Sequence, residues 1–151
     1  SKTYGLPGLR VGWIVSRDLG VMRRIRKERE LFNCYVAPPV DFLARLVLRH
    51  EATILNRNSQ LVRDNLELAT KFFARHDNLF RWCAPMAGVL SFPRWLGLGG
   101  TRVLSQQLLE RESLAFAPSY CFGAGDDHFR LSVSRRSFAD GLERLEHFLA
   151  T

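Results

Sequence analysis

The sequence predicts an α/β protein of the α+β kind, with a small sheet packed by helices. Three observations predict it. Residues 18–75 carry apolar side chains at helical spacing. Residues 76–136 alternate short apolar runs with Gly- and Pro-containing turns. The last stretch is one amphipathic helix with Leu142, Leu145, Phe148 and Leu149 on a single face.

The elements follow in order. Val11–Val15 reads as a buried strand. Asp18 can cap a helix running to Phe32, with Met22, Ile25 and Phe32 inward. Asn33–Pro39 reads as a loop ended by Pro38-Pro39. A helix then covers 40–50, with Phe42, Leu43, Leu46 and Val47 on its apolar face. A long helix is predicted over 51–75, striped by Ile54, Leu55, Leu61, Val62, Leu66, Ala69, Phe72 and Phe73. Short strands are predicted at 80–82 and 89–92, with a turn at Pro85–Gly88 between them. Gly97, Gly99 and Gly100 form a loop, and Thr101 can cap a helix to Glu112. Strands at 114–117 and 129–133 flank a loop over Pro118–Asp127. Ser137 and Asp140 have capping-box spacing at the start of the closing helix. The predicted order is β-α-α-α-β-β-α-β-β-α.

A chain of 151 residues suits one domain with a real core. Its 46% hydrophobic and 25% charged content is that of a soluble globular protein. No apolar run approaches the ~20 residues of a membrane span. The polar start lacks the apolar core of a signal peptide. Without an initiator Met, the chain reads as a segment or a processed product. Cys34, Cys83 and Cys121 are odd in number and widely spaced, against a disulfide framework or a zinc site. They read as thiols in a reducing cytoplasm. His50, His76, His128 and His147 show no metal-ligand spacing, so no metal is expected. The net charge of +7 concentrates in Arg17, Arg23, Arg24, Arg26, Lys27 and Arg29, interrupted by acids as on a solvated helix face. No nucleic-acid-binding motif accompanies it, and a basic balance also suits a phosphate-bearing cofactor and an acidic substrate.

The string Ser1-Lys2-Thr3-Tyr4-Gly5-Leu6-Pro7-Gly8-Leu9-Arg10-Val11-Gly12 carries the chemistry. Gly5, Pro7 and Gly8 bend the backbone between an amine and a guanidinium. A lysine that can lose its charge is a nucleophile. An arginine holds phosphate through paired N–H bonds. This string resembles the cofactor-lysine signature of class I/II aminotransferases, the pyridoxal-phosphate (PLP) enzymes of fold type I. The resemblance covers essentially the whole chain and implies the C-terminal portion of such an enzyme. It also implies pyridoxal 5'-phosphate as cofactor. Lys2 would be the Schiff-base lysine and the base that moves the substrate's α-proton. Arg10 would hold the phosphate, and Ser1, the small residue beside the lysine, would be a further cofactor-binding residue.

The string His128-Phe129-Arg130-Leu131-Ser132-Val133-Ser134 resembles the family's late strand, whose arginine clamps the substrate carboxylate. That implies substrate binding by Arg130, with Arg135 and Arg136 solvated at the strand end. Pro85–Phe92 resembles a small-domain turn and strand at the substrate entrance; Gly88 matches the pattern and Ala87 departs from it. Such a strand could tune specificity or serve only as core. Tyr4 and Tyr120 could be polar handles near such a cofactor, though a tyrosine more commonly lines a core. By resemblance, residues 1–35 are the remnant of the large PLP-binding domain, 36–75 are connecting helices and 76–151 are the small domain. The pyridine-nitrogen aspartate, the ring-stacking aromatic and a partner subunit's phosphate contact are absent from the chain.

The implied activity is transfer of an amino group between an amino acid and a 2-oxo acid, by a cytoplasmic homodimer that binds neither nucleic acid nor membrane. Two alternatives stand. One is a lyase, cyclase or amino-acid synthase of the same fold, with capreomycidine-synthase-like secondary metabolism suggested by the first residues. The other is a catalytically inactive folded or dimer-forming module.

Overall fold

The computed structural model describes residues 2–32 and 35–151. Two compact units divide the chain, residues 1–56 and residues 57–151, with the boundary inside a long helix. Ser1, Asn33 and Cys34 lie outside the described residues, and with them the start of the loop predicted over 33–39.

In the first unit, a 3-10 turn at Pro7–Leu9 precedes helix α1 (Leu19–Phe32), helix α2 (Pro38–Arg49) and the start of helix α3 (Glu51–Arg75). Asp18 caps α1 as its sequence position predicts: Oδ1 accepts the amides of Gly20 at 2.8 Å and Val21 at 3.0 Å. Pro38-Pro39 opens α2 and does not close the loop, because the first helical positions need no amide donor. Arg45 and Asp41 form an exposed i,i+4 pair on α2 at 2.8 Å.

The predicted strand Val11–Val15 does not form. Among the described residues the first unit holds no other strand, so this run has no ladder partner. Nor is it buried: Trp13 is 63% exposed and Val15 is 87% exposed. Phe32, expected inward on α1, is also exposed, while Met22 and Ile25 are half-buried. On α2, Val47 is half-buried but Phe42, Leu43 and Leu46 are exposed. No described side chain before residue 57 is buried. The core expected of the whole chain lies in the second unit alone.

That unit holds strands β1 (Phe80–Arg81), β2 (Leu90–Ser91), β3 (Arg94–Trp95), β4 (Ala117–Pro118) and β5 (Phe129–Ser132). Helices α4 (Gly100–Glu112) and α5 (Phe138–Ala150) pack beside them. β1 and β3 form an antiparallel pair that sequence reading missed at β3. β5 is the central strand of an antiparallel β2-β5-β4 sheet, with Leu90 opposite Ser132 and Ala117 opposite Arg130. Phe72, Phe73, Phe80, Phe129 and Phe138 pack with Ala69, Leu104, Leu108, Val133 and Leu145 as its core. The α3 stripe beyond residue 60 and the α5 stripe both face this cluster, as their periodicity predicts.

Two predicted caps fail. Thr101 does not cap α4; it sits buried inside the first turn, and Gly99 is the N-cap. Asp126 does the capping from across the loop, its Oδ1 accepting the Arg102 amide at 2.8 Å and the Thr101 hydroxyl at 2.9 Å. A side chain at Gly100 would meet Asp126 within 2.6 Å. Ser137 precedes α5 with φ −83° and ψ 21°, and its hydroxyl caps nothing. That backbone is not the extended form a capping box requires.

Asn65 interrupts the apolar stripe of α3 and is 5% exposed. Its side-chain amide donates to the carbonyls of Val133 at 2.9 Å and Arg135 at 2.8 Å. Asn65→Ala is therefore expected to destabilise the chain by about 1–3 kcal/mol, since a buried acceptor is left without its donor. Urea unfolding measures it, and an unchanged midpoint and slope would count against the role given to Asn65.

Candidate active site

The amine-bearing turn lies in the first unit. The Gly5 amide donates to the Lys2 carbonyl at 3.1 Å, closing a turn in which Gly5 takes a left-handed φ of 65°. The 3-10 turn follows and ends at Arg10, whose φ of 49° and ψ of 36° are also left-handed. That conformation costs a residue with a Cβ roughly 1–2 kcal/mol. Strain of this kind is found where a side chain must be aimed. Both the amide and Nη1 of Arg10 donate to the Pro7 carbonyl, at 3.4 Å and 3.5 Å, so the guanidinium folds back over its own turn.

Lys2 and Arg10 are both exposed, and no carboxylate among the described residues pairs with either. An amine and a guanidinium free of carboxylates on one tight turn fit a group bearing an aldehyde and a phosphate. The third predicted residue, Ser1, is not among the described residues. Tyr4 ties this turn to α3, donating its hydroxyl to Glu51 Oε1 at 2.7 Å. That hydrogen bond to the carboxylate, helped by slight desolvation and the Glu51 charge, raises the phenol above its ordinary range. A cavity of about 290 Å³ lies between the turn and α2, lined by Tyr4, Leu9, Val11, Trp13 and Val47. Neither Lys2 nor Arg10 lines it.

Arg130 belongs to the second unit. The alternation of β5 sends Phe129 into the core and Arg130 outward. Its guanidinium carbon lies 5.4 Å from the Phe122 ring centroid. Arg135 and Arg136 are exposed past the strand end, as expected. Tyr120 is not core-lining: it is exposed, with the Arg102 guanidinium 3.9 Å from its ring centroid. The Pro85–Gly88 turn forms, with Gly88 at φ 84°, and β2 follows it into the sheet beside β5.

The loop before β5 is held from inside. Ser119 is fully buried, donates its hydroxyl to the Gly125 carbonyl at 2.9 Å and accepts the His128 amide at 3.2 Å. Asp127 meets Arg94 Nε at 2.8 Å and His128 Nδ1 at 2.7 Å. The His128 hydrogen bond, against some desolvation and with the His128 and Arg94 charges adding, holds the Asp127 carboxyl below its ordinary range. The sequence alone assigns no role to Asn65, Ser119, Phe122, Asp126 or Asp127. A polar residue inside an apolar stripe was a legible signal for Asn65. The others act across the loop, and no spacing marks them.

Among the described residues, no cluster of His, Cys, Asp and Glu could hold a metal ion. No described helix is long and apolar enough to cross a membrane. Cys83 and Cys121 are free and exposed.

Comparison with known proteins decides the family. The profile of aminotransferase class I and II matches residues 1–145. The chain belongs to that family. Capreomycidine synthase from Streptomyces vinaceus is 28% identical over 153 aligned residues, covering 100% of this chain and 39% of that protein. The crystal structure of the PLP-dependent cyclase OrfR superposes with a TM-score of 0.85 at 30% identity, covering 98% of this chain and 41% of the other. A PLP-dependent aminotransferase from Streptococcus suis superposes at 0.88 with 27% identity, covering 98% and 39%. The fold is thus that of a portion of a fold type I PLP enzyme. The chain spans about 40% of the length of the curated relatives it matches. Pyridoxal 5'-phosphate is the cofactor of the family.

The depressed Asp127 carboxyl has a consequence for pH. Its contribution is fully present above the unfolded-state value and is lost as pH falls through the lower folded-state value. Thermal melting from pH 7 down through the ordinary carboxylate range should show a fall in Tm, and Asp127→Asn should flatten it. An identical profile for both proteins would remove Asp127 from the loop's support.

Proposed function

We propose that this chain is the C-terminal portion of a PLP-dependent aminotransferase that moves an amino group between an amino acid and a 2-oxo acid. The observation that carries the proposal is the strained turn presenting Lys2 and Arg10, exposed and free of carboxylates, in a chain of this family. In this reading residues 1–35 are the end of the large cofactor domain, 36–75 connect, and 76–151 are the small domain. The uncovered apolar side chains of Trp13, Ile14 and Val15 suit a segment that packs against further protein. We also propose a homodimer working in the cytoplasm; the free thiols of Cys83 and Cys121 suit a reducing compartment.

Bound PLP supplies the electron-withdrawing ring that takes up the pair left when the substrate's Cα–H bond breaks. This chain's residues would do the rest. Lys2 Nζ would hold the cofactor covalently and then, as a free amine, take the proton from the substrate Cα and return it. The Arg10 guanidinium would bind the phosphate through parallel N–H donors and fix the cofactor's position. Arg130 would bind the substrate α-carboxylate in the same bidentate way and so orient the amino acid for loss of its α-proton. Ser1 would stand as the small neighbour of Lys2.

A second reading keeps these residues and changes the outcome. The likeness to capreomycidine synthase and to the OrfR cyclase favours a lyase, cyclase or synthase reaction. Pocket groups that steer the substrate after proton removal would decide between the two. Product analysis of the full-length enzyme with a panel of amino acids separates them. Transamination consumes a 2-oxo acid in step with the donor, whereas cyclisation or elimination consumes none.

Borohydride reduction of the full-length enzyme with PLP, followed by peptide mapping, should place one pyridoxyl group on Lys2. Lys2→Ala should abolish both the label and turnover; a variant that kept either would end the lysine assignment. Arg130→Ala should weaken amino-acid binding about tenfold or more while the cofactor stays attached. An unchanged KM across the panel would remove Arg130 from the substrate.

A further inference from the structure

Arg130 is a cation with an unusual set of neighbours. Among the described residues, none of its side-chain N–H groups has a hydrogen-bond or carboxylate partner. Its guanidinium lies over the ring of Phe122. A cation over a ring face is held without using its N–H edges, so all five donors stay available.

The register of the sheet explains what stands around it. Leu90 pairs with Ser132 and Ser91 with Leu131. The same antiparallel register continues where the Phe129 amide donates to the Pro93 carbonyl at 3.1 Å and Arg94 bridges His128. Phe92 therefore lies opposite Arg130, on the same outward face. Phe92 and Phe122 meet edge to face at 6.1 Å and 77°. Behind Phe92, His128 stacks on its ring at 5.3 Å and 10°. The Asp127 and Arg94 contacts described above fix His128 in turn. The outward face thus carries two phenylalanines beside one uncommitted guanidinium. Both remain open, Phe92 41% exposed and Phe122 49% exposed.

We propose that Phe122, backed by Phe92, is a positioning residue for Arg130: the aromatic pair holds the guanidinium on the outward face of β5 with its donor edge free for a substrate carboxylate. The inference rests on the carboxylate role given to Arg130 above. Phe122 would shield one flank of the guanidinium from water, which strengthens each charge-assisted bond on the other flank. It also limits the rotamers Arg130 must give up on binding, so less entropy is lost per hydrogen bond formed.

The test uses the full-length PLP-loaded protein and two carboxylates that lack an amine, propionate and 3-phenylpropionate. Their Kd is measured by calorimetry for the parent, Phe122→Leu, Phe122→Trp, Phe92→Leu and Arg130→Lys. In parallel, the Arg130 Nε–H resonance is followed in arginine-labelled protein, where a ring beneath the guanidinium gives an upfield shift. We expect Phe122→Leu to weaken both probes about two- to fivefold and to abolish the upfield shift. Phe122→Trp should keep both, and Arg130→Lys should weaken binding at least as much as Phe122→Leu. Phe92→Leu, at a position already open to solvent, should weaken binding in the same direction and guards against a folding defect at Phe122. If Arg130→Lys weakens binding but Phe122→Leu and Phe92→Leu leave Kd and resonance unchanged, the positioning role is wrong and the arginine's own role stands. If neither Arg130→Lys nor Phe122→Leu changes either Kd, the carboxylate role falls and this inference falls with it.

Discussion

The second unit depends on one buried amide. Asn65 sits where helical spacing calls for an apolar residue, between Val62 and Ala69 on the inner face of α3. Its two donors go to the carbonyls of Val133 and Arg135, just past β5. A buried amide with both donors used fixes a backbone more tightly than apolar packing does, because hydrogen bonds are directional. β5 is the central strand, and its alternation puts Phe129 in the core and Arg130 outside. Without the clamp, the chain beyond Ser132 would lose the contact that fixes where the strand ends. A slip of one residue would turn Arg130 inward and Phe129 outward. The candidate substrate arginine is thus aimed by a residue far from it in sequence.

The other end of β5 is fixed by a different device. α4 begins at glycines with left-handed φ and supplies no capping side chain of its own. Asp126 reaches across the loop to satisfy the orphan amides of the first turn. The next residue, Asp127, joins β3 to the start of β5 through Arg94 and His128. Two adjacent carboxylates therefore couple a helix start, a sheet edge and the strand that carries Arg130. The Asp127 ion pairs are partly exposed and add little stability singly, as do the hydrogen bonds from neutral donors to Asp126. Their effect is on geometry, because each one restrains a backbone that is also hydrogen-bonded. The buried Ser119 hydroxyl, which accepts and donates within the same loop, has the same character.

Much of this was legible in the sequence, and the failures share one cause. The limits of α3, the capped start of α1 and the stripes of α3 and α5 follow from local spacing and local capping. The Lys2 to Arg10 string and the β5 string carry the resemblance on residue identity, and the profile match over residues 1–145 shows the family. The strand at Val11–Val15, the Thr101 cap and the Ser137 box are local readings that tertiary context overrides. A strand requires a partner, which the described residues of the first unit do not contain. Asp126 takes the cap that Thr101 was expected to supply, and only the fold brings it there. Phe122 and Phe92 were invisible as a pair, since their meeting depends on a register that the strands set together.

The two units differ in a way that bears on mechanism. The second has a core, a clamped central strand and an arginine aimed outward by its neighbours. The first has a strained turn that aims Arg10 but buries nothing around Lys2. A lysine that is to act as nucleophile and base needs desolvation or nearby cations to favour its neutral form. Arg10 can supply part of that field. Protein packed over Trp13, Ile14 and Val15, which are exposed here, would supply the rest of that environment; these are the same apolar side chains that a strand here would bury. One packing event would then do two things. It would complete a sheet through the segment that follows Arg10, and it would exclude water from the turn that carries Lys2. The left-handed backbone at Arg10 suits that arrangement, because it lets the chain turn sharply from the bend that carries Lys2 toward the strand direction.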